Sequence, residues 1–234
     1  METGSQITAR VAARCGAGGL DLTHPFRVAW FNDGAVAGER LPDFDRADAL
    51  GLLIGNTRGL WPRFLEARHR DPALRAEPDP IERYTARVVS AALADAPVRW
   101  RVRWAHDPAP RRPPMQRLAH RAGLAYLAPC ALNVHAVYGP WIALRAVVVF
   151  DARGPDGPPP EPPNPCPDCA TACLPAFARA AAALRDNPGA AIGLGDTWRL
   201  WLAVRDACPV GRDHRYSEAQ IAYHYRNDRS VLTT

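Results

Sequence analysis

The chain has 234 residues, of which 47% are hydrophobic, and a formal net charge of +5. This length is enough for one sizeable domain. The longest strongly apolar run, Trp141–Phe150, has ten residues, whereas a helix that crosses a bilayer needs about twenty. Residues 1–15 lack the apolar core of a secretory signal, so we expect a cytoplasmic protein with no membrane association.

The basic residues exclude a further class of partner. All 29 residues of the Lys and Arg class are Arg, the side chain that binds carboxylates and phosphates with two parallel hydrogen bonds. They alternate with acidic residues along the chain and form no basic stripe. We therefore expect no nucleic-acid partner.

Helix and strand signals are mixed in the first seventy residues. A helix is predicted over residues 4–15, and the glycines of Gly16–Gly19 are typical of a helix end. Phe26–Phe31 and Leu50–Ile54 are predicted strands, the second one buried because its residues are apolar without alternation. A second helix is predicted from Gly59 to about His69.

The middle of the chain has a helix with strong signals and an alternating strand. The helix is predicted over Pro80–Ala94, with Asp79 as its cap and Glu82 completing a capping box. Val98–Trp104 alternates between apolar residues and arginines, with a period of two. The pattern favours a half-buried strand with a solvated arginine face over an anion-binding face. That face consists of Arg99, Arg101 and Arg103.

The second half of the chain predicts shorter elements around a proline-rich span. A helix is predicted to end near Gly123. The further elements are strands at Leu124–Ala128 and Trp141–Phe150, helices at Leu174–Arg185 and Thr197–Cys208, and a short helix opened by a capping box at Ser217–Gln220. Residues 154–167 contain eight prolines in fourteen positions, so this loop is predicted to be extended. The irregular order of strands and helices predicts an α+β fold with a mainly antiparallel sheet.

Three cysteines follow the proline-rich loop in an insert at 166–175. Cys166, Cys169 and Cys173 have the spacing C-x2-C-x3-C, and Cys208 could fold back to complete a set of four. Thiolates bind zinc and iron–sulfur clusters, so these four residues are candidate metal ligands. The alternative is a set of thiols without metal, because disulfides are uncommon in the cytosol.

Five segments, in order, resemble one family. They are His24–Asn32 with Cys15-Gly16 before it, Arg111–Pro113 leading to His120–Gly123, Val134-His135, Tyr138–Arg145, and Arg205–Ala207 leading to Arg215–Glu218 and Gln220. The segments are similar to those of the CblC-type (MMACHC-like) vitamin B12 trafficking proteins. The resemblance covers most of the chain and leaves out the middle that is rich in Pro and Cys.

The resemblance implies a fold, an activity and several ligands. The fold is a single nitroreductase-like domain over residues 1–234. The activity is cobalamin processing: the upper axial ligand is removed, reductively for cyanide and by a glutathione thiolate for alkyl groups. Cobalamin and glutathione are the implied ligands, with FMN as a further cofactor. A flavin reductase or a downstream B12 acceptor protein would be the protein partner.

The resemblance also implies two sets of binding residues. Arg145 and Arg205 match the glutathione-binding arginines of the family, and a third is Arg229 or Arg226. Glutathione carries two carboxylates, which suits guanidinium groups, and Arg145 sits within an otherwise apolar strand, where it should need an anionic partner. No protein nucleophile is implied. The positions implied for cobalamin are Met115, Gln116, Tyr126, Leu127, Asn133 and Leu144, although Leu127 and Leu144 are also typical core residues.

A second family shares part of the pattern. Arg121–Tyr126 and Gly139–Trp141 also resemble the epoxyqueuosine reductases, which carry an iron–sulfur module. Here Ala172 stands where the cluster run would have its third Cys. His120 could be an axial cobalt ligand, but no carboxylate stands two residues earlier to orient it. An epoxyqueuosine-reductase-like or flavin-dependent reductase and a non-catalytic cobalamin carrier are therefore the alternative functions.

Overall fold

A computed structural model describes residues 2–166, 172–186 and 197–232. The chain divides into two compact units. The first covers the residues up to Leu124 together with Ala143–Pro162, and the second covers Ala125–Ile142 and the residues from Pro163 onwards. The sheet predicted from the sequence belongs to the first unit.

The first unit is built on a four-stranded antiparallel sheet with the order β1-β2-β6-β3. The strands are β1 (Leu22–Arg27), β2 (Ala49–Asn56), β3 (Trp100–Trp104) and β6 (Ala143–Arg153). Every residue of β2 is buried, as its apolar composition predicts. Residues 146–150 of β6 are also buried. The predicted antiparallel α+β architecture is therefore confirmed.

Six helices of the first unit accompany this sheet. They are α1 (Gly4–Ala17), α2 (Val28–Asn32), α3 (Leu60–Arg70), α4 (Pro72–Ala76), α5 (Pro80–Leu93) and α6 (Met115–Arg121). Helix α1 begins with a capping box between Thr3 and Gln6, and it buries Ile7, Val11 and Cys15. It packs against α5, where the Tyr84 hydroxyl donates to the Gly18 carbonyl at 2.9 Å. The predicted helix end at the glycines is confirmed at Gly18.

Two local predictions in the first unit are wrong. The strand expected over Phe26–Phe31 ends at Arg27, where its pairing with Leu50 is the last in the register, and the chain then turns into α2. Asn32 holds this turn with two hydrogen bonds to the backbone of Leu41, both 2.9 Å long. The expected cap of α5 is also not formed, because the Asp79 backbone departs from the extended geometry of a capping residue and its side chain makes no cap hydrogen bond.

The second unit is mainly helical and also has a short ribbon. Its elements are β4 (Tyr126–Leu127), β5 (Asn133–Val134), α7 (Leu174–Asp186), α8 (Trp198–Asp206) and α9 (Glu218–Arg226). The strand predicted over Leu124–Ala128 is thus only two residues long. The strand predicted from Trp141 begins at Ala143 as β6, after the corner at Gly139-Pro140. The Ser217 hydroxyl accepts from the Gln220 amide, which confirms its predicted role as the cap of α9.

The described part of the proline-rich loop, residues 154–166, has no helix or strand. Its first half is held by the first unit: Arg27 Nε donates to the Pro155 carbonyl at 2.9 Å, and Trp30 Nε1 donates to that of Gly157 at 3.3 Å. Pro160 fills the space where a side chain at Gly123 would lie. Gly123 has φ of +85°, so it meets both the conformation and the close approach that favour glycine after α6.

No helix within the described ranges has the length and apolar character needed to cross a membrane.

Candidate functional site

Arg145 of β6 is the main candidate for binding an anion in the first unit. It lies in a strand whose following residues are fully buried, and its own side chain is half-buried. Its Nε donates to Asn56 Oδ1 at 2.7 Å. Its Nη2 is buried and has no hydrogen-bond partner in the part of the chain that the structure describes. A buried guanidinium nitrogen without an acceptor is costly, so the site suits an anionic ligand.

A chain of hydrogen bonds holds Arg145 in place. Asn56 is fully buried, and its Nδ2 donates to the Thr57 carbonyl at 2.7 Å. Asp21 in turn accepts from the Thr57 amide at 2.7 Å and from the Thr57 hydroxyl at 2.6 Å. Sequence reasoning missed Asp21, Asn56 and Thr57. The one available signal was the arginine within an apolar strand, which requires a polar partner but does not say which one.

The other residues assigned to the first unit have different degrees of exposure. Met115 is buried at the start of α6, and Gln116 beside it is exposed. Leu144 is half-buried next to Arg145 on β6. Leu144 directly precedes Arg145 on β6, whereas Met115 and Gln116 lie on helix α6.

His120 lies in the last turn of α6 and is half-buried. It lines a cavity of about 270 Å³ together with Phe31, Gly34, Arg117 and Arg121. The nearby His24 ring is held through Nε2 by the Ala122 carbonyl at 2.9 Å. Burial lowers the pKa of His24, and this hydrogen bond offsets the effect in part. The end of α6 is therefore well anchored, as expected for a structural turn.

In the second unit the ribbon brings together three residues predicted to bind cobalamin. Leu127 pairs with Asn133, and Tyr126 pairs with Val134. Asn133 is buried and its Nδ2 donates to the Ala125 carbonyl at 3.5 Å. Tyr126 and Leu127 are half-buried. Tyr126, Leu127 and Asn133 therefore lie close together in the second unit, and their contact with cobalamin stays a prediction.

Arg205 of α8 lies among aromatic rings of the second unit. Its guanidinium carbon is 5.9 Å from the ring centre of Trp141 and 6.0 Å from that of Tyr225. Nη1 donates to the Pro140 carbonyl at 2.9 Å. Burial raises the pKa of Tyr225, while the positive charge of Arg205 lowers it in part. These contacts orient the guanidinium without neutralising it, since none of them is with a carboxylate.

Arg215 differs from Arg205 because its guanidinium forms ion pairs with two carboxylates. Its Nε contacts Asp206 at 2.8 Å and its Nη1 contacts Glu218 at 2.5 Å. These carboxylates raise the pKa of Arg215. The guanidinium also lies 5.7 Å from the Trp141 ring. The motif around Arg215 therefore has a structural role in this unit.

The third predicted glutathione-binding arginine is either Arg229 or Arg226. Arg229 is exposed in a short 3-10 turn at Arg229–Leu232. Arg226 contacts Asp228 at 2.8 Å and lies 6.0 Å from the Trp198 ring. Both residues remain candidates for the third glutathione-binding arginine.

Four cysteines meet in the core of the second unit. Cys130, Cys173 and Cys208 are buried in one cluster, and the half-buried Cys166 packs against it. Cys169 lies outside the described residues. Burial, followed by a hydrogen bond with Cys173, raises the pKa of Cys130 to about 12. Sequence reasoning missed Cys130, which is more than thirty residues from the other three.

The described cysteines are thiols. Among residues 2–166, 172–186 and 197–232, no group of three or more His, Cys, Asp or Glu residues has an arrangement that could hold a metal ion. The metal site predicted at Cys166, Cys169, Cys173 and Cys208 stays a prediction, since one of its four members is not described.

Comparisons with known proteins support the family resemblance. No protein-family model matches the chain. The human protein named cyanocobalamin reductase / alkylcobalamin dealkylase is 28% identical over 219 residues, which cover 86% of this chain and 71% of the human protein. The mouse protein of the same name is 27% identical over 221 residues. The resemblance to CblC-type proteins that the sequence segments indicate is confirmed.

Solved structures support the fold. The B12-trafficking protein CblC of C. elegans superimposes with a TM-score of 0.70 at 18% identity, covering 97% of this chain and 94% of that protein. An epoxyqueuosine reductase from Bacillus subtilis has a TM-score of 0.54 at 13% identity, with coverages of 92% and 68%. The predicted nitroreductase-like α+β fold is thereby confirmed.

Proposed function

We propose that this chain binds cobalamin and removes its upper axial ligand, using glutathione as the acceptor of alkyl groups. The support comes from the activity in the names of the human and mouse relatives and from the similarity in fold to a B12-trafficking protein. One observation of the chain itself carries the proposal. Arg145 has a buried Nη2 without a partner among the described residues, and a glutathione carboxylate would supply the missing acceptor.

The proposed dealkylation needs no nucleophile from the protein. The sulfur of the glutathione thiolate forms a bond to the alkyl carbon, and the bond between cobalt and carbon breaks with its electron pair on cobalt. The protein has to hold the thiol close to the alkyl group and exclude water. For cyanocobalamin, the electrons would come from a reduced flavin such as FMN, and cyanide would leave with the bonding pair.

We assign the residues of the chain to two ligands. The residues proposed for glutathione are Arg145, Arg205 and Arg229, whose guanidinium groups suit its carboxylates. Trp141 and Tyr225 restrict the guanidinium of Arg205, which lowers the entropy lost when it binds an anion. The residues assigned to the corrinoid are Met115, Gln116, Tyr126, Leu127, Asn133 and Leu144. A flavin reductase or a B12 acceptor protein is the proposed protein partner.

Corrin absorbance tests the proposal directly. Purified protein is mixed with methylcobalamin, and glutathione is added in the absence of oxygen. We expect a shift to the base-off spectrum on binding, followed by loss of methylcobalamin and formation of S-methylglutathione. Binding without product would favour the carrier function. An unchanged corrin spectrum at saturating protein would contradict the whole proposal.

A further inference from the structure

A second site rich in arginine lies in the first unit, and it includes none of the residues assigned above. It is a cavity of about 190 Å³ between the residues after the 3-10 turn at Ala37–Glu39, the end of β3 and the proline-rich turn before α6. Four arginines from these three segments line it: Arg40, Arg103, Arg111 and Arg112. The acidic residue among the described lining residues is Glu39: one of its carboxylate oxygens is paired with Arg117, and the other, Oε2, is buried without a hydrogen-bond partner in the described part of the chain.

Two of these arginines have positive charge that no carboxylate balances. Neither Arg103 nor Arg112 has a carboxylate oxygen within salt-bridge distance in the described part of the chain. Arg112 Nε donates to the Asp107 carbonyl at 2.8 Å, which fixes the base of the guanidinium and leaves its two Nη groups for other acceptors. Arg103 Nη1 donates to the carbonyl of Val102 at 3.4 Å.

The charges of the other two arginines are only weakly balanced by carboxylates. Arg40 is 3.8 Å from Asp43, and Arg111 is 4.0 Å from Asp107. Both distances are beyond those of a charge-assisted hydrogen bond. Several guanidinium groups that can donate further hydrogen bonds therefore line the cavity.

The same strand provides an internal comparison. Arg99 of the predicted arginine face is paired with Asp151 at 2.8 Å. Arg101 is exposed and lies 5.7 Å from the ring centre of Phe44. The solvated face predicted from the alternating pattern thus describes both Arg99 and Arg101, which are exposed. Arg103 is half-buried and lines the cavity.

We propose that this cavity binds a phosphate group. A carboxylate has two oxygens and is satisfied by one guanidinium, whereas a tetrahedral phosphate presents oxygens in several directions. Donors that come from three different chain segments suit the phosphate. A surplus of positive charge in a recess also concentrates dianions more strongly than monoanions.

The phosphate could be inorganic phosphate or part of a larger ligand. The nucleotide loop of cobalamin carries a phosphodiester, and FMN carries a phosphate monoester. The site recognises the chemistry shared by all three. The inference does not require the proposed function, because inorganic phosphate alone can be tested as the ligand.

Titration calorimetry with inorganic phosphate is the first test, in a chloride buffer that keeps the ionic strength constant. We compare the native chain with R103Q/R112Q and with R101Q, a control on the same strand whose side chain lies outside the cavity. Loss of two charged donors should weaken phosphate binding by roughly ten- to a hundredfold. R101Q should bind as the native chain does, and circular dichroism checks that all three are folded.

Corrinoids then identify the source of the phosphate. Cobinamide lacks the nucleotide loop, so weaker binding of cobalamin but not cobinamide by R103Q/R112Q would identify the corrinoid phosphodiester. Weaker binding of inorganic phosphate or FMN alone would identify a separate phosphate ligand. The inference is overturned if the native chain shows no phosphate binding above the chloride control, or if R103Q/R112Q binds phosphate equally well. Cobinamide binding by the native chain tests the proposed function separately.

Discussion

Arg145 in the first unit and Arg215 in the second show how one residue type can serve two purposes. The sequence segments that resemble CblC-type proteins contain both. Arg215 contacts the carboxylates of Asp206 and Glu218, so its charge is balanced within the chain. Arg145 has one amide partner and a buried nitrogen with no acceptor in the described ranges. The first arrangement stabilises the fold, and the second is the one that we propose binds a ligand.

The neighbours of each arginine explain the difference. Arg215 lies beside Trp141, which is 1% exposed and packs with Leu202, Tyr216 and Ile221. Arg145 is held by Asn56, a neutral group that orients the guanidinium without matching its charge. Balanced charge in a well-packed cluster predicts loss of stability on substitution. Unbalanced charge held by the neutral Asn56 amide predicts loss of ligand binding on substitution.

Replacing Trp141 by alanine should have the largest effect on stability. The change removes a fully buried indole from its cluster and deprives two guanidiniums of an aromatic surface. We expect the free energy of unfolding to fall by about 3–5 kcal/mol, measured by urea denaturation. The control is V137A, since Val137 is 57% exposed, and it should change stability by less than about 0.5 kcal/mol. An equal loss in both variants would contradict the structural role of the aromatic cluster.

The two arginines can be compared directly by paired substitutions. R145Q should raise the KM for glutathione by roughly ten- to a hundredfold, since it removes a charged partner of a carboxylate. R215Q should leave this KM nearly unchanged and lower the urea midpoint modestly, because its ion pairs are partly exposed. Methylcobalamin dealkylation at varied glutathione measures the first effect. If R215Q raised the KM as much as R145Q does, the distinction between the two would fail.

The sequence predicted the architecture better than the contacts of the site. The uniformly apolar residues Leu50–Ile54 of β2 predict a buried strand, because burial on both faces leaves no alternation. An arginine within the apolar strand β6 predicts a buried positive charge that needs an anionic partner. These inferences depend on local chemistry, which a single sequence contains.

Other features depend on contacts between distant residues and could not be predicted. Asn56 reaches Arg145 through the pairing of β2 with β6, and Asp21 contacts Thr57, the residue after Asn56. Cys130 joins Cys173 through the fold of the second unit. The strand expected at Phe26–Phe31 failed because the pairing of β1 with β2 stops at Arg27 and Leu50, and no residue within the segment reports where that pairing stops.

Alkaline pH should destabilise the folded chain through the buried thiol of Cys130 in the second unit. Burial raises the pKa of Cys130 from about 9 to about 12 in the folded chain. Between these values the unfolded chain has lost the proton and the folded chain has kept it, so stability falls as pH rises. One such group contributes a slope of up to about 1.4 kcal/mol per pH unit. Urea unfolding of the native chain and C130A from pH 8.5 upwards should show a shallower slope in C130A, and identical slopes would contradict the burial of this thiol.

The smallest effect is expected at the cap of α9, beside the balanced arginine. The Ser217 hydroxyl accepts from the Gln220 amide at 3.2 Å, so S217A should cost about 1 kcal/mol of unfolding free energy. Ser217 lies between Arg215 and Glu218, and a misplaced Glu218 would weaken the ion pair as well. A double-mutant cycle of S217A with R215Q measures this coupling by urea unfolding. Non-additive losses would show that the cap and the ion pairs act as one structural unit, whereas additive losses would show that they stabilise the chain independently.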